Sequence, residues 1–237
     1  MLQPTAAEVP PDLSLRKRLL GALRPGWEAL RAVWLPFLAC QVLAVIVVLC
    51  YFTVPAFAAW CGGLARVRDA SGVAFAMGGS VIAGVVLPEI VRRVVGDRSR
   101  IVWSEQWFRV AFFAVNGLLI DTFYRVQALI FGDSNAPMVV VIKVLVDQFI
   151  YTAFIAVPFA ASVFAWQAGG FRLAPLLAEW RNGFVERRIL PVLLPNWTFW
   201  FPMVFCIYAL PGDLQYIFFL CVFAAWSLLF VRLVRRP

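Results

Sequence analysis

The sequence contains no histidine. That absence removes serine–histidine triads, imidazole metal ligation and the usual proton carrier near neutral pH. Charge is scarce too. Only 14% of the 237 residues are charged, where a soluble domain carries about 25%, and those charges are clustered between long uncharged runs. Cysteine is present but uninformative. Cys40, Cys50, Cys61, Cys206 and Cys221 lie in or beside apolar runs, with no metal or disulfide spacing. They read as small buried hydrophobes. No paired-aspartate or nucleophile–base motif occurs, so no catalytic residue and no enzyme activity is expected. The opening "MLQPTAAEVPPDLS" holds Glu8 and Asp12 but no basic residue, unlike a secretory n-region or transit peptide. With Pro4, Pro10 and Pro11 opposing a helix, residues 1–13 are expected to form a disordered tail.

What the chain has in quantity is apolar surface: 63% of it is hydrophobic and 16% aromatic, including ten Trp. The expected fold class is all-α, a polytopic helical membrane bundle forming one domain over residues 14–237. Six membrane segments are expected: Val33–Ala59, Val73–Val91, Trp107–Phe131, Met138–Trp166, Leu190–Leu210 and Leu214–Leu233. Each can cover a hydrocarbon core of about 30 Å at about 1.5 Å per residue. The fourth is long, and Pro158 is its expected bend point. The fifth contains Pro191, Pro195 and Pro202, so a half-helix that re-enters the membrane is the alternative there.

The basic residues sort by loop. Arg16, Lys17, Arg18, Arg24 and Arg31 precede the first segment, and Arg92, Arg93, Arg98 and Arg100 follow the second. Arg172, Arg181, Arg187 and Arg188 follow the fourth, and Arg232, Arg235 and Arg236 end the chain. An even number of spans puts all of these on one side. The opposite loops hold only Arg66 and Arg68. The positive-inside rule then places both termini in the cytoplasm or its organellar equivalent. The net charge of +8 is mostly this topology signal, and no nucleic acid is needed to explain it.

Two segments have the pattern of helices lying on the membrane surface. In "LSLRKRLLGALRPGWEALRAVW", Leu15, Leu19, Leu23, Trp27, Leu30 and Trp34 share helical spacing, interrupted at Pro25-Gly26. In "RLAPLLAEWRNGFVERRIL", Leu173, Leu176, Leu177, Trp180 and Phe184 do the same, opposite Glu179, Arg181, Glu186 and Arg187. Small residues mark a packing face: Ala76, Ser80 and Gly84 recur every four residues, which lets helix backbones approach closely.

The unexpected feature is polar. "KVLVDQ" places Lys143, Asp147 and Gln148 inside an apolar run, and the preceding segment carries Asp121 and Arg125. Both charged pairs are spaced i,i+4, so each lies on one helix face. Asn116, Tyr124, Gln127 and Tyr151 surround them, and Glu89 lies near the inner end of the second segment beside Arg92 and Arg93. An ionised group at mid-membrane costs about 2.5–3.5 kcal/mol on the insertion scale. The four charges therefore pair or face water. A clamp that holds helix register and a polar lining for a solute or ion both satisfy that demand.

Ordered along the chain, "GLLIDTFYRVQALIFG", "KVLVDQ" and "PNWTFWFP…ALPGDLQ…WSLLF" resemble the Mpv-17 / 22-kDa peroxisomal membrane protein family. Gly117, Phe123-Tyr124, Lys143, Asp147 and Gln148 match its G-P-x-x-H-x-W-Y and K-x-x-x-D-Q patterns. Trp197, Trp200 and Pro202 approximate W-x-x-W-P, and Pro211 and Trp226 match the late proline and tryptophan. Leu118 stands at the family's proline, Asp121 at its histidine, Ile207-Tyr208 at its N-F pair and Gln215 at its arginine. The resemblance implies an integral membrane protein, with a channel or solute-passage role and no catalytic site. A structural or regulatory membrane protein is the alternative. The bacterial inner membrane is the expected location, with an organelle membrane as the alternative. The partners expected are the lipid bilayer, a small solute or ion, and further copies of the same chain, with no cofactor or metal.

Overall fold

The computed structural model describes residues 15–94, 96, 100 and 102–233. Every regular element among them is a helix, and none is a strand. The tail expected over residues 1–13 lies outside the described residues.

The helices are α1 (Leu15–Thr53), α2 (Pro55–Val81), α3 (Leu87–Val94), α4 (Trp103–Phe131), α5 (Pro137–Val146), α6 (Val157–Ala168), α7 (Leu173–Arg181), α8 (Leu190–Tyr208) and α9 (Gly212–Leu233). Wider π-helical turns join α2 to α3 over Ile82–Val86 and α5 to α6 over Asp147–Ala156, and lead into α8 over Val185–Ile189. Three of the resulting continuous helices are long and apolar enough to cross a membrane: Pro55–Val94, Pro137–Ala168 and Val185–Tyr208. They coincide with the second, fourth and fifth expected segments. The first and sixth fall on the shorter apolar stretches Leu38–Thr53 and Leu214–Ser227. The third falls on α4, whose apolar run is diluted by Arg109, Asn116, Asp121 and Arg125.

Several expected boundaries are corrected. The first segment does not run through to Ala59, because the helix stops at Thr53 and restarts at Pro55. Proline suits a first helical turn, where its missing N–H costs nothing. The loop expected after Ala59 is helical, and α2 bends instead at Gly72, with φ 51° and ψ −129°. Such a positive φ is a conformation glycine adopts without a Cβ penalty. The second expected segment starts at the next residue. Pro25-Gly26 does not interrupt α1, so the amphipathic stretch and the first apolar stretch share one helix. The re-entrant alternative for the fifth segment is not seen: Val185–Tyr208 is continuous across Pro195 and Pro202.

The π turns have a shared cause. Each ends two residues before a proline, namely Pro88, Pro158 and Pro191. A proline ring clashes with the carbonyl four residues back and offers it no N–H. An extra residue in the preceding turn moves that carbonyl aside. The bend expected at Pro158 is therefore expressed upstream of it, over Asp147–Ala156.

The chain divides into two compact units. The first comprises Met1–Phe37 and Val144–Pro202. Its core is Val157, Ala165, Phe184, Ile189 and Leu193, with Leu176 and Trp197 packed against it. Phe184 is fully buried and stacks on Trp180 at 4.5 Å, while Leu173 and Leu177 of α7 stay exposed. The second unit comprises Leu38–Lys143 and Met203–Pro237. There α2, α4 and α9 pack on one another. The small face of α2 does what its spacing implies. A Cβ at Gly117 of α4 would overlap the Ala76 carbonyl and come within 2.5 Å of Ser80 Cβ, and one at Gly84 would lie 2.6 Å from the Phe113 ring.

Candidate functional site

The polar residues form two groups, one in each unit. In the second unit the centre is Asp121, whose side chain is 4% exposed. It sits on α4, facing α2. Arg68 of α2 donates from Nη2 to Asp121 Oδ1 at 2.8 Å, and Arg125, one turn along α4, donates from Nε to Oδ2 at 2.7 Å. Each carboxylate oxygen thus receives a different guanidinium. Arg68 also donates from Nη1 to the Gly212 carbonyl at 3.2 Å, tying α2 to the start of α9.

Tyrosines extend this group. The Arg68 guanidinium lies 5.6 Å from the Tyr216 ring centroid, and the Lys143 ammonium 5.9 Å from that of Tyr208. Tyr124 stands between those rings, 5.4 Å from Tyr208 and 6.3 Å from Tyr216. A buried cation at each end of an aromatic row gains attraction from the ring faces. The Tyr216 hydroxyl lies 2.8 Å from the Ala76 carbonyl and 3.2 Å from that of Gly117, so its single proton serves both helices. Lys143 is only 2% exposed. Among the described residues of its own unit it has no carboxylate at salt-bridge distance, although the charge of exposed Asp133 reaches it. Gln127 donates from Nε2 to the Lys143 backbone carbonyl at 3.4 Å, while its Oε1 is buried with no partner.

In the first unit the group is built along one helix. Asp147 Oδ1 accepts from Gln148 Nε2 at 2.7 Å, and Thr152 Oγ1 lies 3.4 Å from the same oxygen. Residues five apart point away from each other on an α-helix. The i→i+5 winding over Asp147–Ala156 turns Thr152 back toward Asp147. The Gln148 carbonyl accepts the Trp197 indole N–H at 3.0 Å, and Tyr151 is buried beside the group. Gln148 Oε1 is buried without a partner.

Asp121 and Arg125 are therefore brought together as their spacing implies. Tyr124 is buried near them, but Asn116 is half-buried and its side chain makes no hydrogen bond among the described residues. Glu89 belongs elsewhere: it pairs with Arg92 at 2.9 Å and Arg93 at 3.0 Å on its own helix. Arg68 is not among the residues that the sequence pattern singles out, because its position between two apolar runs fits a loop. The signal existed. Pro55 marks a helix start, and Cys61, Leu64, Ala65 and Arg68 follow at helical spacing. Among the described residues no three side chains gather as metal ligands. The fold and these groups define an all-helical protein with three membrane-length apolar helices and two buried polar groups. No family model, curated protein or solved structure matches the chain.

Proposed function

We propose that this is an integral membrane protein of about six membrane segments that passes a small solute or ion along its buried polar groups. On this reading Asp121, Arg125, Lys143, Asp147 and Gln148 contribute to the path, and both termini lie on the positively charged side. The chain is a relative of the Mpv-17 / 22-kDa peroxisomal membrane protein family, resident in a bacterial inner membrane. What supports solute passage is that two buried amide oxygens within these groups, Gln127 Oε1 and Gln148 Oε1, have no hydrogen-bond partner among the described residues. Leaving a buried acceptor unpaired costs about 1–3 kcal/mol. A passing solute or its water would offset that cost. The same residues in a sealed clamp would carry it permanently.

The test is direct. Cysteines placed at Asn116, Gln127 and Tyr151, in a background lacking the native five, react with a membrane-impermeant thiol reagent. Liposomes holding the protein pass small solutes. Unlabelled cysteines and tight liposomes in a folded preparation would rule the path out. Reporter fusions at Pro237 and within residues 133–137 report opposite compartments; same-side reports would reject the even span count. A second reading, a purely structural membrane protein, is favoured by Tyr216, whose hydroxyl joins Ala76 to Gly117.

A further inference from the structure

We propose that Arg125 is the docking point for an oxyanion, a phosphate or carboxylate group, held ready by Asp121 and Arg68. Three observations in the second unit carry this. The first is the free edge of the guanidinium. Arg125 uses only Nε, on Asp121 Oδ2, and its two Nη groups have no partner among the described residues. Its side chain is 54% exposed, whereas that of the aspartate holding it is 4% exposed. A buried, doubly bonded carboxylate fixes one edge of the fork and leaves the other facing outward. That is the geometry in which arginine takes a phosphate or carboxylate bidentately.

The second is charge. The sequence alone suggests two cations balanced by two carboxylates. Arg68 complicates that balance, because it is buried and shares Asp121 with Arg125. Among the described residues the one carboxylate that meets Arg125 is divided with a second guanidinium, and Arg125 is the member that a ligand can reach. Lys143 adds a further buried cation in the same unit. The nearby acid acting on it, Asp133, is exposed and screened by water. The third is rigidity. Arg68 is anchored at both ends, on Asp121 and on the Gly212 carbonyl, so Asp121 cannot turn away to free Arg125 for some other partner.

The oxyanion has two sources of the same chemistry, a dissolved anion or the phosphate of a lipid headgroup. The site stands whether or not solute crosses the membrane, so its test does not use flux. The protein in neutral detergent is titrated with inorganic phosphate at constant ionic strength against chloride, and separately with short-chain phosphatidylglycerol. The thermal midpoint reports binding, because a ligand of the folded state raises it. Wild type rises with phosphate, with the lipid, or with both, and the pattern names the source. Arg125→Gln abolishes the rise. Arg125→Lys keeps the charge but loses the fork, and weakens binding roughly tenfold. Arg93→Gln, at an arginine already paired with Glu89, leaves the rise intact. No rise in wild type with either probe, or an equal rise in Arg125→Gln, would overturn the site.

Discussion

Asp121 and Asp147 are both buried aspartates on helices, yet the Oδ1 atom of each is met in an opposite way. Asp121 meets Arg68 from another helix, 53 residues away in sequence. Asp147 meets Gln148 and Thr152 from its own helix. The first arrangement is ionic, sits on regular α-helix and depends on the close packing of α2 against α4. The second draws on an amide and a hydroxyl, and depends on a π-helical stretch that Pro158 induces. Long-range and local solutions to one problem should fail differently. The ionic group is sensitive to anything that separates two helices. The local group is sensitive to anything that relaxes one.

The largest effect is expected from removing the shared carboxylate. Asp121→Ala leaves Arg68 buried opposite another guanidinium, and breaking a buried ion pair costs about 3–5 kcal/mol. Thermal unfolding in detergent should show a drop of many degrees. A midpoint close to wild type would mean that water reaches Arg68. Next comes the packing that holds the pair in place. Gly117→Ala forces a methyl against the Ala76 carbonyl and Ser80, and overpacking costs about 1–3 kcal/mol. Because the obstructing atom is backbone, α2 and α4 must move apart, so Gly117→Ala and Asp121→Ala should be non-additive in a double-mutant cycle.

The local group should yield less. Trp197→Phe removes the indole donor from the Gln148 carbonyl, a loss of about 0.5–1.5 kcal/mol. An effect as large as that of Asp121→Ala would show that the local group carries as much of the stability as the ionic one. The smallest change is a control on the second unit. Gly78→Ala places a methyl in open space on α2. It should be neutral or stabilise by up to about 1 kcal/mol through helix propensity. A clear loss there would show that Gly117→Ala fails for a reason other than contact.

Much of this was legible in the chain before its structure. Asp121 and Arg125 pair because i,i+4 residues share a helix face, and that is a property of the helix alone. Glu89 with Arg92 and Arg93 follows the same rule. The small face at Ala76, Ser80 and Gly84 predicted close approach, and Gly117 and Phe113 supply the partners. Arg68 was not legible as a site residue, because a basic residue between two apolar runs also fits a loop. The π turns were not legible either. Proline signals a disturbance, but whether the helix kinks, breaks or widens depends on what the neighbouring turn can hydrogen-bond.

The sequence by itself determined the helical character, the apolar runs and the i,i+4 pairs Asp121–Arg125 and Glu89–Arg93, because each depends on residues within a few positions of one another. It also made the cost of burying Lys143, Asp121 and Asp147 evident, since their apolar surroundings are written beside them. Only the tertiary structure decided which cation shares Asp121, which rings stand over Lys143 and Arg68, and which backbone carbonyls receive Tyr216. Those contacts join residues as far as 148 positions apart, from Arg68 to Tyr216. A long-range partner is selected by how helices pack, through the absent Cβ of Gly117 and the bulk of Phe113. No local pattern records that selection, because it emerges only when the faces meet.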